Sequence, residues 1–245
     1  MIFKKRNQVH AAIAERRDDF DWSRYPQQYR QQVTELAGEH TLKLSEGDFK
    51  FSDGKLSLRD GLRPLHPNHR LLYETILLLN PKTAIEIGCG GGDHLHNLSL
   101  LQPNLRLQGF DRSEEQLRFL HERSPELQAP VDVLDITLPY SRLLPTADVC
   151  YTQAVIMHIQ AGNGHLVALS NLFHLATKQV VLMENWTRHA FMDDIQMLFD
   201  EKMIPWNDLR FYFRRSPELD NRPHIMVVSS EILDFEPLTA YGQLG

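Results

Sequence analysis

Long apolar segments and an excess of basic residues are missing from this 245-residue sequence, and cysteines are few. No apolar run approaches the roughly 20 residues that a helix needs to cross a bilayer. The first ten residues are basic in part, but no apolar stretch follows them, so we expect no secretory signal peptide. The two cysteines, Cys89 and Cys150, suit a reducing compartment and no disulfide. Together these features predict a cytoplasmic protein with no transmembrane segment.

The charge balance disfavours one class of partner. Lysine and arginine number 26 against 32 aspartate and glutamate residues, for a formal net charge of −6. A large nucleic-acid interface needs clustered basic side chains that neutralise phosphates, so we do not expect one here. A small molecule, a sugar, the end of a glycan or a lipid head group is therefore favoured as the substrate over DNA or RNA.

The pattern of the chain changes near residue 66. Before it, helical spacing occurs around residues 9–17 and 25–36. We expect residues 1–66 to form an extension that acts as a substrate lid or as a homodimer contact. Residues 67–245 are expected to form the main domain, which is long enough to bury a substantial core.

Short runs with period two precede the main domain. They begin at Leu42, Phe49 and Leu56, and Asp53-Gly54 between the last two is a tight-turn signal. We predict a small β-meander in this part of the extension.

Apolar runs and helical patterns alternate through the main domain. The predicted strands lie at 84–87, 105–110, 131–134, 147–152, 179–183, 208–214 and 224–229. The predicted helices lie at 67–79, 94–102, 114–122, 164–177 and 190–202. Such alternation implies a parallel sheet with right-handed crossovers. The fold class predicted is α/β, with a seven-stranded, mostly parallel, doubly wound sheet that ends in an antiparallel hairpin.

The segment TAIEIGCGGGD, residues 83–93, joins the first of these strands to a helix through a glycine-rich turn. Glycines at such a turn permit positive φ angles and let a ligand approach the backbone closely. The N-terminus of the following helix favours anionic groups. This stretch therefore predicts a nucleotide or phosphate site.

The spacing of the glycines separates two kinds of nucleotide-binding loop. The dinucleotide fingerprint wants a small residue at its sixth position, where this chain has Asp93. The segment resembles instead motif I of the class I S-adenosylmethionine-dependent methyltransferases, with Glu86, Gly88, Gly90 and Gly92 in register. The resemblance implies S-adenosylmethionine as the cofactor, with Glu86 near its methionine amine and the glycines beside it.

Asp111 ends the next predicted strand, about twenty residues beyond the loop. A carboxylate at this place can accept hydrogen bonds from both hydroxyls of a ribose. Dinucleotide-binding folds share the spacing, so Asp111 predicts a ribose site without naming the cofactor. Cys89 in the loop and Arg112 beside the aspartate are predicted as further cofactor contacts.

The pair Asp135-Ile136 follows the third predicted strand and precedes a Leu-Pro-aromatic run. In the methyltransferase family a carboxylate here accepts from the adenine amine, and the next backbone N–H meets a ring nitrogen. The resemblance therefore implies an adenine site at Asp135 and Ile136. Asp132 is the competing candidate if the strand is displaced by a few residues.

The stretch ADVCYTQAVIMHI resembles a segment that many small-molecule methyltransferases of this class share. Asp148 and His158 fall in register, with Ile156 in place of the family's leucine. Gln153, at the predicted strand end, is a further candidate cofactor contact. The resemblance rests on four elements in the right order and covers roughly residues 67–229.

The resemblance implies transfer of a methyl group by in-line displacement, with oxygen favoured as the acceptor atom. The protein then has to hold the acceptor in line in a dry pocket. An oxygen acceptor also loses a proton, and a histidine with a pKa near neutrality suits that task. His158 is the candidate general base, although a role in packing at a helix start explains it equally well.

Four residues after the fifth strand are candidate acceptor contacts, namely Glu184, Asn185, Trp186 and His189. No catalytic metal is expected, because Thr152 and Gln153 occupy the place where metal-assisted relatives carry an aspartate. The cluster of Asp93, His94 and His96 is expected to cap the helix after the loop and to face solvent.

Two other functions remain open from the sequence alone. One is a nicotinamide-dependent oxidoreductase, which Asp93 and the terminal hairpin disfavour. The other is a non-catalytic partner subunit that binds S-adenosylmethionine. The identity of the acceptor is not encoded in any motif of this chain.

Overall fold

A computed structural model describes residues 25–28, 30–31, 42–216, 225–240 and 243. Residues 25–28, 30 and 31 are helical, as predicted for the segment 25–36. The helix predicted at 9–17 lies outside the described residues. None of the helices within the described ranges has the length and apolar character required to span a membrane.

Eight strands of the described part form the main sheet, and they are numbered from β3 because the two strands of a separate hairpin precede them. Their bounds are β3 Thr83–Ile87, β4 Arg106–Asp111, β5 Val131–Val133, β6 Ala147–Gln153, β7 Ala176–Met183, β8 Arg210–Arg214, β9 Ile225–Ser229 and β10 Glu236–Pro237. Across the sheet they lie in the order β10-β8-β9-β7-β6-β3-β4-β5. The strands β3 to β7 pair in parallel, whereas β8, β9 and β10 pair antiparallel.

The predicted fold class is confirmed, with one strand more than expected. The additional strand β10 is two residues long and pairs with the outer side of β8. A two-residue strand carries no period-two pattern, so the sequence gives no sign of it.

Five described helices connect these strands. They are α1 Pro67–Leu79, α2 Asp93–Leu101, α3 Glu114–Arg123, α4 Gly164–Leu175 and α5 Phe191–Asp200. The first begins at its proline, and the ring of His66 caps it by accepting from the N–H of Asn68. A short 3₁₀ helix, Ile156–His158, follows β6.

The two faces of the sheet carry separate hydrophobic clusters, as alternation of side chains along parallel strands requires. On β6, Val149 and Tyr151 join the cluster beneath α1, α2 and α3, whereas Cys150 joins the cluster beneath α4 and α5. The sheet is therefore doubly wound. Cys89 and Cys150 are both buried free thiols.

The predicted meander is a two-stranded hairpin, β1 Phe49–Ser52 and β2 Lys55–Leu58. Its expected first strand, at Leu42 and Leu44, does not form. The buried amide of Asn97 on α2 takes the place of a partner strand. It accepts from the N–H of Leu44 at 2.8 Å and donates to the carbonyl of Leu42 at 2.8 Å.

Candidate functional site

The glycine loop lies between β3 and α2, at the carboxyl edge of the parallel strands. Gly88 has φ of +75°, and a Cβ atom there would lie 2.3 Å from Val155 Cγ2. Gly90 has φ of +49°, but no described atom lies within 4 Å of the position of its Cβ. Gly88 is therefore required by packing, whereas Gly90 leaves a cradle open to a ligand.

Asp111, the last residue of β4, is connected directly to this loop. Its Oδ2 accepts from the N–H of Gly90 at 2.9 Å, and its Oδ1 accepts from the N–H of Ser113 at 2.9 Å. Burial raises the pKa of the Asp111 carboxyl, and these two hydrogen bonds oppose the shift. Each carboxylate oxygen retains a lone pair that can accept from a ligand hydroxyl.

The other two residues predicted to contact the cofactor here, Cys89 and Arg112, differ in how far they are exposed. Cys89 is buried inside the loop, and burial raises the pKa of its thiol. Its N–H donates to the carbonyl of Phe110 at 3.0 Å, so it fixes the loop to β4. Arg112 is exposed beside Asp111.

Glu86, the residue predicted to lie near the methionine amine of the cofactor, is buried on β3. Its carboxylate already has protein partners. Its Oε1 lies 2.8 Å from His94 Nδ1, and its Oε2 accepts from the hydroxyl of Tyr151 at 3.3 Å. Burial opposes a charge on His94, but the carboxylate of Glu86 outweighs that effect and the pKa of His94 is raised. The sequence analysis did not predict this pair of Glu86 and His94, although the two residues lie close together in the sequence.

The expectation that Asp93, His94 and His96 face solvent is wrong. Asp93 is buried and forms a two-pronged ion pair with Arg123, at 2.8 and 3.1 Å. The same guanidinium donates to the carbonyl of Gly91 at 3.2 Å. The ring of His96 lies 3.0 Å from the carbonyl of Leu44. The cluster faces inward because α3 and the extension cover this side of α2.

The predicted adenine pair lies just after β5. Asp135 Oδ1 accepts from the N–H and the hydroxyl of Thr137 at 2.9 and 2.6 Å. Ile136 is buried, and its carbonyl accepts from Asn171. The competing residue, Asp132, is exposed within β5 itself and hydrogen-bonds to the next backbone N–H.

Gln153 ends β6 on the face that also carries Tyr151. Its Oε1 is buried, and no described residue donates to it. The next residue, Ala154, has φ of +53°, which is uncommon for a residue with a side chain. Strained backbone and an unsatisfied buried acceptor together are typical of a ligand site.

Glu184 holds the loop that follows β6. One oxygen accepts from the Thr152 hydroxyl at 2.7 Å and from the N–H groups of Val155 and Ile156 at 3.2 Å. The other accepts from the N–H of Met157 at 3.0 Å. Burial raises the pKa of the Glu184 carboxyl against these hydrogen bonds. The contacts make it an anchor for the 3₁₀ helix, a function that no sequence motif indicated.

The remaining predicted residues surround that 3₁₀ helix. His158 is its exposed last residue. His189 Nε2 lies 3.1 Å from the carbonyl of Ile156, and its ring stacks on His165 with centroids 4.1 Å apart. Burial, followed by the neighbouring His165, lowers the pKa of His189.

Asn185 and Trp186 lie between Glu184 and His189. Asn185 is exposed, and its Oδ1 accepts from the hydroxyl and the N–H of Thr187. Trp186 is buried against Phe191 at 5.3 Å, as part of the core on the α4 and α5 side. Of these two residues, Asn185 is therefore the one accessible to an acceptor, whereas Trp186 belongs to the core.

No protein-family model matches the sequence, and no curated protein matches it. Similarity is found among solved structures. A TehB-like S-adenosylmethionine-dependent methyltransferase from Corynebacterium glutamicum is 17% identical, covers 87% of this chain and 98% of its own, and has a TM-score of 0.55. The methyltransferase domain of bacterial CtHen1 is 19% identical over 66% of this chain and 97% of its own, with a TM-score of 0.51.

A further match, to DesVI of Streptomyces venezuelae, spans 45% of that chain and 44% of this one, with a TM-score of 0.37 and 18% identity. At such identities the likeness concerns the fold. The chain has the fold of the class I S-adenosylmethionine-dependent methyltransferases, which confirms the resemblance found in the sequence.

Proposed function

We propose that this protein binds S-adenosylmethionine and transfers its methyl group to a small molecule, a sugar or a glycan end, with oxygen as the favoured acceptor atom. The observation that carries the proposal is the hydrogen bond of 2.9 Å between Gly90 N–H and Asp111. This hydrogen bond brings the backbone of Gly90 beside the carboxylate of Asp111, the proposed ribose ligand, at the carboxyl edge of the sheet. The TehB-like protein and the CtHen1 domain, two solved structures of similar fold, are methyltransferases, which supports the proposal.

The described residues fit this cofactor at three separate places. Gly90 lacks any described neighbour where a side chain would project, so a ligand can touch its backbone. Asp111 has lone pairs for two ribose hydroxyls. Asp135 follows β5, the strand next to the one that Asp111 ends, and a carboxylate at this place suits an adenine amine.

The bound cofactor would supply an electrophilic methyl group, so the protein mainly has to orient the acceptor and remove its proton. His158 is the proposed base, because its exposure leaves the ring accessible to an acceptor hydroxyl. Glu184 fixes the position of His158 through the three backbone N–H groups that it binds in the preceding loop.

The acceptor is proposed to bind on the β7 side of His158. Asn185 is exposed there, and His189 contacts the carbonyl of Ile156 at the start of the same 3₁₀ helix. Because Trp186 is packed into the core, its proposed contribution is to shape the wall of this region. Glu184 has its oxygens occupied by the loop, so we assign it to positioning in place of acceptor binding.

Calorimetric titration with S-adenosylmethionine, S-adenosylhomocysteine and NAD tests the proposal, followed by transfer of labelled methyl to a panel of hydroxylated acceptors. We expect the first two ligands to bind and NAD not to. Gly90→Val should abolish their binding. Gly47→Val is the matched control, since Gly47 also has positive φ and no described atom near its Cβ position.

The two other functions predict different results. Binding of NAD alone would indicate an oxidoreductase. Binding of S-adenosylhomocysteine without transfer to any acceptor would favour a non-catalytic subunit, and the absence of any binding would overturn the assignment of the loop. The antiparallel β8–β9 pair and the ion pair at Asp93 support the methyltransferase alternative over a dinucleotide site.

A further inference from the structure

His189, predicted from the sequence as an acceptor contact, binds the backbone of the 3₁₀ helix. Its Nε2 lies 3.1 Å from the carbonyl oxygen of Ile156, the first residue of that helix. A carbonyl oxygen can only accept, so Nε2 carries a proton and donates this hydrogen bond. The ring also hydrogen-bonds to the backbone of Ile159, the residue directly after the helix. One imidazole therefore spans the 3₁₀ helix from end to end, with His158 between its two contacts.

Two further side chains support the ring of His189. It stacks on the ring of His165 with centroids 4.1 Å apart and 7° between the ring planes. His165 lies in the first turn of α4, and its Nε2 is 3.5 Å from Oδ2 of Asp194 in the first turn of α5. These two side chains are largely buried, with 13% and 14% of their surface exposed. His189, His165 and Asp194, the histidine stack, thus connect the 3₁₀ helix to α4 and α5.

The segment that carries His158 is held at its other polar groups as well. Glu184 accepts from three successive backbone N–H groups of this segment. A Cβ on Gly164 would lie 2.9 Å from Cγ2 of Ile159, so the start of α4 packs closely against the end of the segment. Glu184 therefore binds the segment through its N–H groups, whereas His189 binds it through a carbonyl.

The same segment also touches the glycine loop. A Cβ on Gly88 would lie 2.3 Å from Cγ2 of Val155, which leaves no gap between the two. His158 follows three residues later, so the short turn between Val155 and His158 sets where the histidine lies relative to the loop. A displacement of about 1 Å from productive geometry can lower a reaction rate roughly 100-fold. A contact that fixes this turn therefore matters for the reaction.

We propose that His189 is a positioning residue for methyl transfer, oriented by His165 and Asp194, and that it holds the 3₁₀ helix so that His158 faces the acceptor. Its effect on turnover rests on the proposed function, since that function takes His158 as the base. The proposal gives His189 a partner in the protein in place of the acceptor. Loss of a positioning residue lowers kcat, whereas loss of an acceptor contact raises KM.

Two substitutions separate the hydrogen bond of His189 from its stacked ring. His189→Phe keeps a ring that can stack on His165 but has no donor for Ile156, whereas His189→Gln keeps a donor and loses the ring. We expect His189→Phe to lower kcat about tenfold or more, with acceptor KM and S-adenosylhomocysteine affinity within about threefold. His189→Gln should restore kcat to within about threefold of the unmodified protein. Steady-state kinetics and calorimetry on the whole protein measure these quantities.

Hydrogen exchange gives a second measurement that needs no acceptor. The N–H groups of His158 and Ile159 donate to carbonyls within the segment, at 3.1 and 3.0 Å. His189→Phe should speed exchange of these two amides about tenfold or more, and His189→Gln should not. His174→Phe is the matched control and should change neither measurement. The ring of His174 also lies 2.9 Å from a carbonyl, but in the last turn of α4, where it packs on Tyr140.

The inference is overturned if His189→Phe leaves amide exchange unchanged, or if His189→Gln is as impaired as His189→Phe. It is also overturned if His189→Phe lowers cofactor affinity as much as turnover, or raises KM at unchanged kcat. If the unmodified protein methylates no acceptor, the proposed function fails, while amide exchange still decides whether His189 holds the helix. Should His189→Phe not fold, Asp194→Ala replaces it and should speed exchange of the same amides; unchanged exchange would then overturn the inference.

Discussion

Asp111 illustrates how a single carboxylate serves both the fold and the proposed site. Its two oxygens bind one N–H in the glycine loop and one at the start of α3. Any ligand hydroxyl would share these oxygens with the backbone. The residue is therefore already oriented before a ligand arrives.

We expect Asp111→Ala to weaken S-adenosylhomocysteine binding by about 1.5–3 kcal/mol, since hydrogen bonds to a charged group are lost. Calorimetry measures the affinity, and thermal unfolding shows whether the fold is retained. Asp132→Ala is the matched control on the neighbouring strand, where the side chain is exposed. Equal effects of the two substitutions would place the ribose elsewhere.

His158 is exposed, yet the backbone that carries it is firmly held. If it is the base, His158→Ala should lower kcat by 10²- to 10⁴-fold and leave cofactor affinity almost unchanged. Steady-state kinetics with the acceptor found in the screen, together with calorimetry, measures both quantities. A parallel fall in turnover and cofactor affinity would mean that the histidine is structural.

Among the contacts between secondary-structure elements, the ion pair of Arg123 with Asp93 links α3 to the beginning of α2. Arg123 also reaches the carbonyl of Gly91, and both side chains of the pair are largely buried. The ion pair thus connects the last turn of one helix to the loop that precedes another. This contact accounts for an aspartate where a dinucleotide fingerprint wants a small residue.

Arg123→Met should therefore destabilise the protein by about 3–5 kcal/mol, because the buried carboxylate of Asp93 loses its two-pronged ion pair. Urea unfolding measures the loss. Arg118→Met is the control, since Arg118 forms only an exposed pair with Glu115 on the same helix. Adding Asp93→Asn to the first variant should recover part of the stability. A loss of the same size in both arginine variants would contradict this account.

Glu184 likewise links two elements, because it lies directly after β7 and accepts from backbone N–H groups of the segment between β6 and α4. Glu184→Gln should cost about 1–3 kcal/mol, because an amide NH₂ would face a backbone N–H where a carboxylate oxygen now accepts. Denaturant unfolding gives the cost. We also expect methyl transfer to fall more than cofactor affinity, since the loop carries His158. Unchanged turnover would show that the anchoring contacts do not matter for the reaction.

For the whole molecule, a ligand that binds only the folded state must raise the unfolding temperature. S-adenosylhomocysteine at one hundred times its Kd should add about 2.7 kcal/mol. In a chain of this size that corresponds to a shift of roughly 5–10 °C. Differential scanning fluorimetry with NAD as the comparison ligand measures it. A shift with NAD alone would contradict the cofactor assignment.

How much of this molecule the sequence predicted depends on the range of the interactions involved. The helix Pro67–Leu79 was predicted at its observed bounds, since a proline and an Asn-Pro pair mark its ends locally. Leu42 and Leu44 show a strand pattern but form no strand, because a distant amide on α2 meets their backbone.

The site follows the same rule. The glycine loop and Asp111 were found from local motifs and strand ends. The partners of Asp93, Glu86 and Glu184 were missed, because those contacts form only when separate elements pack together. Domain limits at residue 66, a homodimer contact and a cytoplasmic location stay predictions.

The amide of Asn97 gives the extension a thermodynamic link to the glycine loop. Asn97 lies on α2, the helix that follows the glycine loop. Its amide hydrogen-bonds to the backbone of Leu42 and Leu44 in the extension and to the hydroxyl of Tyr73 on α1. Whatever stabilises α2 therefore also stabilises the entry to the hairpin. Linkage is reciprocal, so an acceptor that binds the extension and stabilises this contact would tighten cofactor binding by the same factor by which the cofactor tightens acceptor binding.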